Sequence, residues 1–137
     1  MQVKDPSVSS HYQTNRVMTN ELIKEMLIKN FGPGFAATAT VASHQILSQF
    51  KEGHSEDLEL AYAFVIARDI QPGLNPLAKE IFNKVNNDMA ALVFDPKLGQ
   101  DLREFQGELI EVVYMKEMLT RGSMITEAEK IVEEFNS

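Results

Sequence analysis

The sequence predicts an all-α protein: a compact bundle of about five to six helices with an extended N-terminal arm and a C-terminal αα-hairpin. Three observations carry that expectation. Apolar residues recur at spacings of three and four along nearly every segment from Thr19 onward. The gaps between those segments hold helix stop and start chemistry, with Gly32-Pro33-Gly34, Gly53, Asn75-Pro76 and Gly122 as the main marks. The one run that also reads as a strand, Met89 to Phe94, has no visible partner to pair with, so helix is favoured there too.

Residues 1–18 hold Pro6, several Ser and Thr and no periodic apolar face, which predicts an arm ahead of a single helical domain over 19–137. A first helix begins at Thr19 or Asn20, carries Leu22, Ile23, Met26 and Leu27 on one face, and stops at Gly32-Pro33-Gly34. The second, Phe35 to Lys51, places Phe35, Ala39, Ala42, Ile46 and Phe50 in register, and its small Ala and Thr residues allow close approach of another helix.

Gly53 ends that segment. Ser55 then caps a third helix, with Glu56 and Asp57 suiting the positive end of its dipole. The body of this helix, Leu58 to Ile70, is apolar on more than one side, which predicts the central and most buried element. Gln71-Pro72-Gly73 makes a turn, Asn75 caps a fourth helix, and Pro76 sits where no amide hydrogen is needed. That helix presents Leu77, Ile81 and Val85, and either runs on past Asn86-Asn87-Asp88 to Met89 and Leu92 or ends there, with Asp88 capping a short separate turn.

Asp95-Pro96 forces a break or a new start. A long fifth helix, roughly Asp101 to Arg121, is expected to turn Leu102, Phe105, Leu109, Val112, Val113 and Leu119 to one side and Glu104, Glu108 and Glu111 to the other. Gly107 within it costs about 1 kcal/mol relative to Ala. Gly122 is the stop, and Thr126-Glu127-Ala128-Glu129 reads as a capping box for a last helix bearing Ile131, Val132 and Phe135.

Composition narrows the function classes. With 137 residues and 44% hydrophobic content the chain is long enough for one real core, and with no cysteine it has no disulfide, thiolate metal site or thiol nucleophile. No apolar run approaches the roughly 20 residues of a membrane span, and Met1 to Asn20 lacks the apolar stretch of a signal peptide, so a cytoplasmic protein with no membrane partner is expected. The net charge of −7 is concentrated late, with nine acidic against four basic side chains over 101–137. Such a surface repels a phosphate backbone, so nucleic acid is not an expected partner.

Catalytic motifs are absent. There is no Walker A loop, dinucleotide fingerprint or Gly-x-Ser-x-Gly elbow. His11, His44 and His54 have no companion at a familiar ligand spacing, so neither a metal nor any other cofactor is expected. Glu104, Glu108 and Glu111 share one environment and read as a solvated acidic stripe, not as an acid pair with separated pKa values. If the protein were a catalyst, its site would be assembled from distant residues, where His44, His54 or Tyr62 meets a carboxylate.

Residues 58–82, an apolar helix followed by Gly73-Leu74-Asn75-Pro76-Leu77-Ala78-Lys79-Glu80-Ile81-Phe82, resemble the N-terminal region of phage single-strand annealing recombinases of the Red-beta and RecT type. The resemblance covers under a fifth of the chain and implies DNA annealing by an oligomeric filament. The β-rich, basic segment that it also implies after Phe82 has no counterpart; an acidic helical stretch stands there instead.

The leading expectation is therefore a non-enzymatic interaction or assembly protein. A phage virion component of the head-to-tail connector or neck type, or a small accessory regulator, would fit that description, and would place the protein in the virion or the cytoplasm. Its partners are other protein chains, as copies in a homo-oligomer or as a larger assembly. Seven methionines and the polar leader single out His11, Tyr12, Arg16, Val17, Met18, Met115 and Met118 as the partner-binding residues. The alternative is a nucleic-acid-handling protein distantly similar to the annealing recombinases.

Overall fold

A computed structural model describes the backbone of residues 8–136 and the side chains of residues 19–136. Seven helices follow one another: α1 (Val8–Phe31), α2 (Pro33–Phe50), α3 (Glu56–Ile70), α4 (Pro76–Asn87), α5 (Ala91–Phe94), α6 (Pro96–Thr120) and α7 (Ser123–Asn136). No strand occurs among the described residues, and none of their helices is long and apolar enough to cross a membrane. Met89 to Phe94, the ambiguous run, is a turn leading into the single turn of α5.

The first helix starts at Val8 and not at Thr19 or Asn20. The stretch expected as an arm is thus divided: residues 8–18 continue α1 toward the N-terminus, and residues 1–7 lie outside the described residues. Polar residues without an apolar stripe give little reason to expect a helix by themselves, but a segment joined to a helix already nucleated needs only propagation, which is far less costly than nucleation.

Three caps form where local chemistry placed or allowed them. Ser55 Oγ accepts from the Leu58 amide at 3.2 Å, Asn75 Oδ1 from the Ala78 amide at 2.9 Å, and Asp95 Oδ1 from the Leu98 amide at 3.1 Å. The Asp95 cap, with Pro96 behind it, starts α6 five residues ahead of the expected Asp101. The start of α7 is a correction of the other kind. Thr126 does not cap it: the helix begins at Ser123, and Thr126 lies inside with its hydroxyl donating back to the Gly122 carbonyl at 3.1 Å.

α3 is the centre of the molecule. Ala61, Tyr62, Ala63, Val65, Ile66 and Ala67 are fully buried, and α1, α2 and α7 all pack on it. The three alanines leave room for neighbouring backbones to come close, while Tyr62, Val65 and Ile66 fill the spaces between them. An aromatic row, edge-to-face at three of its four contacts, then ties five helices together. Phe64 meets Phe31 at 5.7 Å, Phe31 meets Phe35 at 6.2 Å, Phe35 meets Phe82 at 4.7 Å and Phe82 meets Phe105 at 5.1 Å. A smaller separate cluster of Ile81, Val85 and Leu98 holds α4, α5 and the start of α6.

The corner between α1 and α2 is built by residues far apart in sequence. Gly32 adopts φ +86, which glycine tolerates best, and Pro33 and Gly34 open α2. The side chain of Asn86, on α4, closes over this corner. Its Oδ1 accepts from the Gly34 amide at 2.7 Å and the Phe35 amide at 3.3 Å, and its Nδ2 donates to the Phe31 carbonyl at 3.3 Å. One carboxamide thus serves the last carbonyl of α1 and two free amides of α2, a task that water cannot perform as cheaply at a part-buried corner.

Contact at the corner is tight enough that a Cβ on Gly34 would enter the van der Waals shell of Val85 Cγ1 and lie 2.9 Å from Asn86 Oδ1. Gly107, in the middle of α6, has nothing within 4 Å of where its Cβ would stand. Two glycine-to-alanine changes should therefore have opposite signs. Gly107→Ala is expected to raise the unfolding free energy by about 1 kcal/mol, and Gly34→Ala to lower it by roughly 1–3 kcal/mol, both read by urea denaturation. Equal effects of the two would show that Gly34 is not packed as described.

Candidate functional site

α6 has two faces, and the division differs from the one its sequence suggested. Leu109, Val113 and Glu117, each four residues on from the last, form its buried row, with Leu102 and Phe105 partly buried ahead of them. Val112 and Leu119, expected in the core, stand outside with the glutamates. The helical row that faces the core passes through 109, 113 and 117, which rotates 112 and 119 toward solvent.

The outward face consequently carries four large apolar side chains within two turns. Val112 is 55% exposed, Met115 56%, Met118 57% and Leu119 79%. Glu108, Glu111 and Lys116 border the shallow groove formed there by Val112, Met115 and Leu119, and Glu104 is exposed one turn before Glu108. Single exposed apolar residues need no explanation, whereas four close together on one helix form a patch that the fold itself does not use. Two of the residues expected to bind partners, Met115 and Met118, lie in this patch. The other five, His11, Tyr12, Arg16, Val17 and Met18, belong to the part of α1 whose side chains lie outside the described residues.

Glu117 occupies a core position that an apolar residue would ordinarily take. It is fully buried, and so is Tyr62 of α3. Burial, reinforced by the nearby carboxylate, pushes the Tyr62 hydroxyl well above its ordinary value. Burial likewise raises the Glu117 carboxyl, against the opposing pull of the Ile125 and Met124 amides. The two groups lie close enough to act on one another, Tyr62 pulling the Glu117 carboxyl down, without forming a well-shaped hydrogen bond. Glu117 Oε2 accepts from the Ile125 amide at 3.4 Å, in the first turn of α7.

Glu117 therefore does what the Thr126 box was expected to do. Its backbone carbonyl accepts from the amides of Arg121 and Gly122, closing α6, and its carboxylate receives an amide of α7. Between the two helices Arg121 takes φ 56 and Gly122 φ 81, so the reversal needs two consecutive left-handed residues, one of them not a glycine.

A second cluster brings together His44 near the end of α2, His54 in the loop before α3 and Glu59 in the first turns of α3. Both His44 Nδ1 and His54 Nε2 lie 2.8 Å from the same oxygen, Glu59 Oε2. Burial works against the charge on Glu59, but hydrogen bonds from His54 and His44 outweigh it and hold the carboxyl below its usual value. The histidines still have no companion at a familiar ligand spacing, yet the fold brings both to one carboxylate. Their separations from Glu59, fifteen and five residues, are not the i,i+3 and i,i+4 spacings of helical ligand motifs, so spacing alone concealed the grouping. The available signal was the short connection around Gly53, which must return the chain beside the end of α2.

The chain matches no family model, no curated protein and no solved structure, so the reading of its function rests on this geometry.

The raised Glu117 carboxyl has a definite consequence for stability. A group that keeps its proton in the folded state while the unfolded chain has lost it lowers stability as pH rises, beginning near its ordinary value of 4.5 and ending above its native value. Relative to Glu117→Gln, which cannot ionise, the wild-type protein is expected to lose stability as pH is raised through that window. Urea denaturation of both proteins across pH checks this; a difference that stays flat, or that grows in favour of wild type, would contradict it.

Proposed function

We propose that this chain is a non-catalytic interaction protein whose outer α6 face receives an amphipathic, basic helix from another protein. The observation that carries this reading is the exposed row of Val112, Met115, Met118 and Leu119 beside Glu104, Glu108 and Glu111. Methionine side chains are flexible and polarisable and adapt to the shape of an apolar partner. The glutamates add direction, because a partner helix with lysine or arginine flanking its apolar stripe would be steered to the face and held in register.

Charge is also the reason to favour a different protein over a second copy. Pairing this face with itself would bring one row of glutamates toward another on a chain of net charge −7, at an energetic cost that grows as salt is lowered. Nucleic acid is disfavoured by the same acidic surroundings. The membership of a phage particle expected from sequence remains a narrower proposal, since a docking helix face is what a connector or neck component needs as much as a soluble regulator does.

The test uses a fluorescently labelled leucine–lysine model helix, with a leucine–glutamate helix as control. The basic helix is expected to bind and the acidic one not to bind. Met115→Glu and Leu119→Glu should each weaken binding by at least about tenfold, while changing unfolding free energy by no more than about 0.5 kcal/mol because both positions are exposed. Absence of binding at low salt, or binding untouched by either substitution, would overturn the reading. Light scattering that showed dimers abolished by Met115→Glu would replace the foreign helix by a second copy of the chain.

A further inference from the structure

His44, His54 and Glu59 come from three successive pieces of chain, a helix, a loop and the next helix, yet their donor atoms converge on one point. His44 Nδ1, His54 Nε2 and a Glu59 carboxylate oxygen all lie within 4.8 Å of one another. The two imidazole rings meet at 5.6 Å and 68°, so each presents an edge nitrogen to the shared point without stacking over it. From this we infer that the three residues form a binding site for a divalent transition cation of the zinc type, clamping the corner between α2 and α3.

Donor chemistry narrows the ion. Two imidazole nitrogens and one carboxylate suit zinc and its borderline neighbours, whereas calcium and magnesium call for oxygen ligands throughout. With metal–ligand bonds of about 2.0–2.2 Å, the donor atoms of a tetrahedral site stand about 3.3–3.5 Å apart. The two nitrogen-to-oxygen separations here are 2.8 Å, so admitting the ion needs each ring to withdraw by roughly half an ångström, an adjustment of the kind side-chain torsions supply.

The surroundings assign different parts to the three ligands. His54 keeps only 9% of its side chain exposed, and Glu59 20%, so two ligands are already held by packing before any ion arrives. His44 is 62% exposed and leaves a path for entry. In the metal-free form each facing nitrogen donates a hydrogen to Glu59; when a cation takes that place, each neutral imidazole carries its hydrogen on the ring nitrogen that faces away from the site. Three protein ligands leave a fourth position open to water or to a group from another molecule. The site is remote in sequence from the α6 face and does not depend on the function proposed for it.

The untagged, full-length chain, stripped with a chelator, provides the test. Titration with Co2+ should produce the intense visible bands of a tetrahedral site, and Zn2+ should displace it at one equivalent. His44→Ala, at an exposed position where folding is not at risk, and Glu59→Gln should each reduce Zn2+ affinity at least about tenfold. Near a hundredfold excess of free Zn2+ over its dissociation constant, Tm should rise by roughly 5–10 °C in the wild type and much less in His44→Ala. No visible bands, or Zn2+ binding and a Tm shift that survive His44→Ala and Glu59→Gln unchanged, would show that the cluster is a hydrogen-bonded trio only and overturn the assignment.

Discussion

The carboxamide of Asn86 is the contact on which the arrangement of helices most depends. Two helices cannot meet at a corner as tight as Gly32-Pro33-Gly34 without leaving carbonyls at the end of one and amides at the start of the other. Asn86 satisfies both kinds of group at once, and only one orientation of its amide can do so, oxygen toward Gly34 and Phe35, nitrogen toward Phe31. Because Asn86 belongs to α4, the same three bonds that close the corner also fix where α4 lies. Val85 beside it packs against Gly34, and Phe82 one turn earlier meets Phe35, so the hydrogen bonds and the aromatic row reinforce one geometry.

From that geometry the character of α6 follows. It packs against α2, α4, α5 and α7 along a narrow row, and more than half of its residues stay exposed. A core position at the end of this row is taken by Glu117, an acid buried at a cost that its contacts with the turn into α7 offset only in part. Placing a carboxylate there sacrifices stability for a defined reversal of the chain, and the reversal sets α7 against α3, its main neighbour. The apolar residues that might have covered α3 more fully are turned outward, so the same rotation that buries Glu117 leaves the row around Met115 uncovered.

Much of the fold was legible because its signals are local. Ser55 and Asn75 cap helices through bonds to amides three residues away, so sequence shows both partners together. The multi-sided apolar stretch of α3 announced its central place. What sequence concealed were the bonds between distant residues. Asn86 looked like an interruption because its partners lie more than fifty residues earlier, and Glu117 looked like part of a charged surface because periodicity cannot tell which of two neighbouring rows faces inward. Val112 and Leu119 were misplaced for that same reason. Met115 and Met118 could be singled out as accessible residues, while the grouping of His44, His54 and Glu59 required the path of the loop around Gly53, which depends on tertiary structure.

The division of the interior into one large cluster and one small one has its own consequence for motion. Ile81, Val85 and Leu98 form a pocket of oil with only Ala91, Leu92 and Leu102 at its margins, and opening it forfeits far less buried surface than parting the helices around Tyr62. Proteins come apart first where least is lost. The end of the molecule carrying α5 can therefore breathe while α1, α2, α3 and α7 stay assembled, and the amide hydrogens of Ala91 to Phe94 should trade with solvent long before those of Val65 and Ile66.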